Sequence, residues 1–149
     1  MIDITKSPDI PVEKLTSRNF KRAYNIMHVG INKIFRNFEI TVAQFDLMET
    51  ILMSENQALT IQDLASKTVS LQPNITRMVA ELENAGLVAR SSGADRRIVI
   101  VKLTPKGEQL IAEIQKTLSE FHANQYRNLT EEELRLFNDL LIKLSQPLL

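Results

Sequence analysis

Gln72, Asn74, Thr76 and Arg77 are the residues of this chain whose types and spacing best suit recognition chemistry. They are interleaved with Ile75, Met78, Val79 and Leu82, an apolar stripe at helical spacing. With that stripe turned inward, Gln72, Pro73, Asn74, Thr76, Arg77 and Ala80 form the outer face. Amide side chains can pair with adenine through two hydrogen bonds, a guanidinium with guanine or phosphate, and threonine with a base edge or a thymine methyl. Ser70 is expected to cap this helix, with Pro73 in its first turn, where a missing N–H costs little. The free N–H groups of such a helix start also suit phosphate. Every surface helix is polar outside, so this face alone decides nothing.

A second group sharpens the reading. Arg90, Asp95, Arg96 and Arg97 lie close together, with Lys102 and Lys106 beyond. Arginine entering a narrow minor groove is favoured electrostatically and needs no base-specific contact. Asp95 beside Arg97 can brace it. The whole chain has 18 Lys+Arg against 18 Asp+Glu, unlike the strongly basic composition common in nucleic-acid domains. The distribution is uneven, however. Residues 67–106 hold 7 basic and 3 acidic side chains, residues 1–66 hold 7 and 8, and residues 107–149 hold 4 and 7. A polyanion-binding surface therefore belongs to the middle block.

Other chemistries lack their residues. With no cysteine, disulfides, thiolate zinc sites and thiol redox sensing are excluded. His28 and His122 are far apart in sequence and neither has acidic or histidine neighbours at ligand spacing, so no metal or other cofactor is expected. Four scattered glycines make no phosphate loop, and no nucleophile motif is present, so an enzyme is not expected. The first residues lack the layout of a signal peptide, and no apolar run approaches about 18 residues. A cytoplasmic protein with no membrane association is the expectation.

The elements that must position these groups are mostly helical. Phe20, Tyr24, Met27, Ile31, Ile34 and Phe38, at spacings of three and four, predict a long helix over about 11–38. That seam suits a partner helix from a second subunit, although an ordinary core helix would show it too. Thr41-Val42-Ala43-Gln44 reads as a capping box opening a helix with Phe45, Met48, Ile51 and Leu52 inward. Thr60 opens a short helix with Ile61, Leu64 and Ala65 inward, and Gly86 stops the next helix. The β-branched runs Leu87–Arg90 and Arg97–Leu103 predict a hairpin with residues 91–96 as its loop. Thr104-Pro105 starts another helix reaching about Tyr126, and Thr130–Glu133 caps a last one with Leu134, Phe137, Leu141 and Leu144 at helical spacing. The predicted fold is mainly α with a small β-hairpin. Two helices joined by a tight turn and followed by a hairpin make a winged helix-turn-helix.

Gly86-Leu87-Val88-Ala89-Arg90, then Asp95-Arg96-Arg97, then Val101-Lys102-Leu103-Thr104-Pro105-Lys106-Gly107 resemble, without gaps, the signature of the MarR family of bacterial transcription regulators. Asn74–Val79 and Leu82-Glu83 extend the likeness, and the flanking helices carry it over nearly the whole chain. The resemblance implies one domain over 1–149, with a winged lobe at about 41–104 and dimerisation helices at about 11–38 and 105–147. It implies an obligate homodimer on a palindromic double-stranded DNA operator; repression by occupying a promoter is the expectation, with activation by displacing another protein as the alternative. Leu118, Phe121, Leu134, Phe137, Leu141 and Leu144 are the expected dimer contacts. Arg97 resembles the minor-groove wing arginine, and Gln72, Asn74, Thr76 and Arg77 the major-groove readers.

Family members commonly release DNA when a small aromatic or phenolic acid binds between the dimerisation helices and the lobe. Phe20, Tyr24, His28, Phe45 and Met48 are the candidate pocket residues, although such a cluster equally well forms core. The rival to a DNA regulator is a winged-helix dimerisation or adaptor protein that never touches DNA. The basic middle block and the arginine-bearing wing separate the two, because an adaptor needs neither.

Overall fold

The computed structural model describes residues 10–67, 74–93 and 98–146. The elements run α1 (Val12–Asn37), α2 (Val42–Leu52), β1 (Ala58–Thr60), α3 (Ile61–Lys67), α4 (Ile75–Asn84), β2 (Val88–Ser92), β3 (Val99–Leu103), α5 (Pro105–Gln125) and α6 (Glu131–Leu144). The fold is mainly helical with one small antiparallel sheet. None of the described helices is long and apolar enough to cross a membrane.

Short-range hydrogen bonds set most helix starts. The Thr41 hydroxyl accepts the Gln44 N–H while Gln44 caps the Thr41 N–H, and Thr130 and Glu133 repeat this reciprocal arrangement at α6. Thr60 and Asp63 form a shorter version at α3. Thr104 caps α5 with Pro105 in the first turn. At the end of α4, Gly86 adopts φ +73°, and the Gly86 and Leu87 N–H groups return to the carbonyls of Glu83 and Leu82. This is a Schellman stop, which needs a residue that tolerates left-handed backbone. Leu87, just past it, is buried and starts the turn into β2.

The sheet has one more strand than the sequence predicts. Its order is β1-β3-β2, with Leu59 opposite Val101 and Arg90 opposite Val101 on the other side. Three residues are too few for a periodic signal, and β1 exists because β3 presents it with hydrogen-bonding partners.

The core lies under α2, α4 and α5. Phe45, Met48, Ile51, Ile75, Met78, Val79 and Leu82 are buried as the periodicity predicts, and Leu64 joins them from α3. Ala65 is exposed instead of inward. On α1 only Phe35 is fully buried, its ring 5.2 Å from that of Phe45, although Phe35 lies off the predicted seam. Phe20 and Tyr24 remain about half exposed. The reason is length: only the C-terminal half of α1 reaches the lobe. Further out, α1 crosses α5 where a Cβ on Gly30 would lie 2.5 Å from the Phe121 ring, so the missing side chain permits the close approach.

The α6 helix buries none of its residues within the chain. Leu134 and Leu141 are half-buried, while Leu136, Phe137, Leu140, Ile142 and Leu144 are exposed. An apolar helix with no inward face is under-satisfied as a lone subunit.

Candidate nucleic-acid interface

The outward face of α4 carries Asn74, Thr76 and Arg77, all exposed, and Ala80, half-buried. Its buried face is the stripe Ile75, Met78, Val79 and Leu82, so burial alone fixes which side chains face solvent. The helix opens at Ile75, later than the sequence suggests, and its N-cap is Asn74, not Ser70. The Asn74 Oδ1 accepts the Arg77 N–H at 3.1 Å. A two-bond adenine contact by Asn74 would have to share that oxygen. Ser70, Gln72 and Pro73 lie outside the described residues, as do Asp95, Arg96 and Arg97 at the hairpin tip.

Three contacts clamp the far end of α4 to the start of α5. The Lys106 ammonium donates to the Ala85 carbonyl at 2.7 Å, and the Thr104 hydroxyl donates to the Gly86 carbonyl at 2.7 Å. A cation on these last carbonyls also suits the negative end of the helix dipole. Gly107 lies so close to the Leu87 carbonyl that a Cβ there would overlap it. Thr104, Lys106 and Gly107 of the signature therefore act as scaffold. The sequence shows Lys106 as one more wing cation; the structure places it as a helix terminator.

Arg90 is likewise engaged. It leaves β2 to meet Glu83 of α4, its Nε donating to Glu83 Oε2 at 2.7 Å and its Nη2 bonding the same oxygen. In this structure Arg90 thus braces the hairpin against α4. Glu83 and Arg90 are seven positions apart across the Gly86 turn, so no helical periodicity marks them as partners. Lys102 on β3 is exposed.

The hydrogen bonds from Arg90 outweigh desolvation and hold the Glu83 carboxyl below the usual carboxylate range. A lowered carboxyl contributes stability above its unfolded value and loses it as pH falls through the folded one. The brace is therefore expected to hold throughout the neutral range and to open only at a pH below the ordinary glutamate value. An NMR titration of the Glu83 side-chain carboxyl carbon checks this, and a midpoint at or above the ordinary glutamate value would contradict it.

The structure divides the candidate pocket residues. Tyr24 and His28 line a groove of about 620 Å³ with Ile31, Asn32, Phe35, Arg36, Ile40, Thr41, Val42 and Ala43. Their rings stack at 5.4 Å. Phe45 and Met48 are core, behind the groove wall, and Phe20 lies beyond its end. Arg36, absent from the sequence candidates, gives the groove a cation. The signal was there, one turn and a residue beyond Ile31, but a lone arginine on a long helix reads as solvated.

The dimer candidates divide similarly. Leu118 packs against the core and Phe121 against Gly30, both inside the chain, whereas Phe137 and Leu144 are exposed and Leu134 and Leu141 half-buried. Among the described residues, no group of three or more His, Asp or Glu is placed to hold a metal ion.

Comparison with known proteins agrees with this geometry. A model of the MarR family matches residues 40–99. The HTH-type transcriptional regulator FarR of Neisseria gonorrhoeae is 36% identical over 114 residues, covering 76% of this chain and 77% of that protein. A crystal structure of a mutant MarR from E. coli complexed with operator DNA superposes with a TM-score of 0.72 at 25% identity, covering 87% of this chain and 92% of the other. NadR in complex with 4-hydroxyphenylacetate superposes with a TM-score of 0.62 at 30% identity, covering 95% and 96%.

Proposed function

The chain belongs to the MarR family of HTH-type transcriptional regulators, and from that premise we propose that it works as a homodimeric repressor released by a small ligand. The observation that carries the reading is the exposed Asn74, Thr76 and Arg77 face of α4, set by a fully buried opposite face and clamped at its end by Thr104 and Lys106. Such a helix enters the major groove as a rigid piece. The family resemblance adds Gln72 to the major-groove readers and assigns Arg97 of the Asp95-Arg96-Arg97 run to the minor groove. The operator complex of the E. coli MarR mutant supports a DNA partner for this fold.

Dimerisation is supported by the unburied apolar residues of α6 and the outer half of α1. Two-fold symmetry then asks for a palindromic operator, its half-sites about 10 base pairs apart. Occupying a promoter that contains this palindrome represses it. The groove suits a small aromatic acid: Tyr24 and His28 offer ring faces, Ile31 and Phe35 an apolar wall, and Arg36 a carboxylate partner. The 4-hydroxyphenylacetate bound by NadR is of that class.

Fluorescence anisotropy tests this, using DNA upstream of the chain's own gene beside a scrambled duplex over a salt series. The expected result is a preference of about a thousandfold or more. Arg77→Ala is expected to cost about 1–3 kcal/mol on the preferred duplex, the scale of one good base contact. Arg97→Ala should weaken both duplexes and lower the salt slope by about 0.9 for each phosphate it no longer neutralises. Equal, weak binding to both duplexes, and none recovered by selection from random DNA, would leave the adaptor reading in its place.

A further inference from the structure

Gln44 holds two groups at once. Its Oε1 accepts the Thr41 N–H at 2.9 Å and so closes the capping box of α2. Its Nε2 donates to Glu81 Oε2 on α4 at 3.0 Å. The other Glu81 oxygen lies 3.5 Å from the Arg77 Nε, one turn back on the same helix. A continuous line of contacts therefore runs from the N-terminus of α2 to the arginine of the reading face. Thr41 and Ala43, at the start of this line, line both the Tyr24–His28 groove and a small cleft beside Asn74, Arg77 and Glu81.

The choice of residue at 44 is informative. A capping box accepts glutamate as readily as glutamine. Only the amide has an NH2 left to donate; a carboxylate at 44 would cap α2 equally well and repel Glu81. The side chains of Arg77 and Glu81 are 70% and 47% exposed, so their ion pair contributes little to folding. What it changes is the state of Arg77 before DNA arrives. A guanidinium already aimed loses less freedom on binding, and a neighbouring carboxylate tempers its attraction for any phosphate.

We propose that Gln44 and Glu81 are positioning residues for Arg77, aiming its guanidinium for specific over non-specific DNA and tying that aim to the α2 N-terminus that walls the groove. The proposal rests on the DNA-binding reading above.

The test uses the full chain, the duplex that it selects from a random pool, and a scrambled duplex. Gln44→Glu keeps the cap, so its melting temperature should match the parent within about 2 °C, the shift of less than 1 kcal/mol. Its preference for the selected duplex is expected to fall about fivefold, the scale of a single hydrogen bond. Glu81→Gln keeps an acceptor for Gln44 but frees Arg77; scrambled duplex should then bind more tightly, with a salt slope steeper by about 0.9. In an Arg77→Ala background both substitutions should leave the preference unchanged. An unaltered preference in Gln44→Glu, or an equal loss with and without Arg77, overturns the proposal. A parent chain that selects no duplex overturns the DNA reading itself, before any variant is made.

Discussion

Gly107→Ala is expected to lower the melting temperature by about 5–10 °C, although alanine is the better helix former by about 1 kcal/mol. Gly107 sits in the first turn of α5, its N–H donating to the Thr104 hydroxyl at 3.1 Å. A methyl group there would overlap the Leu87 carbonyl oxygen and press on the Leu103 side chain at 3.3 Å. The carbonyl cannot swing aside cheaply, because it accepts the Thr104 N–H at 3.1 Å. Overpacking of this kind costs about 1–3 kcal/mol, and losing the Thr104 bond adds about 1 kcal/mol. The overlap therefore outweighs the helix propensity. Gly86→Ala is the informative companion. It has open space around the added methyl and suffers only the left-handed backbone, worth about 1–2 kcal/mol. Thermal melts followed by circular dichroism compare the two at one protein concentration. If Gly107→Ala proves the milder change, α5 does not press on the Leu87 turn as described.

Ile114→Ala should be the most damaging simple truncation on α5, at about 2–5 kcal/mol. Ile114 is fully buried, and with Ile111 it fastens α5 into the core shared with α2 and α4. Leu118, one turn on, is only partly buried, so Leu118→Ala should cost distinctly less. Urea unfolding measures both, with the midpoint moving and the slope unchanged. Protein concentration must be held constant, since dimerisation would add to apparent stability. Equal costs at the two positions would mean that the lobe is not anchored through the middle of α5. In the chain, α5 is the element that leads from the sheet to α6.

Much of this architecture is legible from local pattern. The capping boxes at Thr41 and Thr130, the Thr104-Pro105 start and the Gly86 stop each act within a few residues, so spacing alone reveals them. The inward stripe of α4 follows from helical period, and with it the outward face of Asn74, Thr76 and Arg77. The likeness to the MarR family is legible for the same reason, as a run of closely spaced residues.

Tertiary structure decided the partnerships. Arg90 reads as a wing cation until Glu83 is found beside it across the Gly86 turn, and Lys106 until it meets the Ala85 carbonyl. The strand β1 has no signal of its own and appears only where β3 pairs with it. Phe45 and Met48 suit a pocket by type, but the depth at which α2 packs puts them in the core, leaving Tyr24, His28 and Arg36 on the groove. Gln44 reads as a cap and nothing more until Glu81, 37 residues later, lies within reach of its amide. Sequence by itself thus determined which helices form and, for α2 and α4, which face turns inward, because those choices depend on neighbours within one or two turns. Which charged side chains brace one element against another, and which stand free, depends on distances between residues far apart in the chain, and only the folded packing sets those.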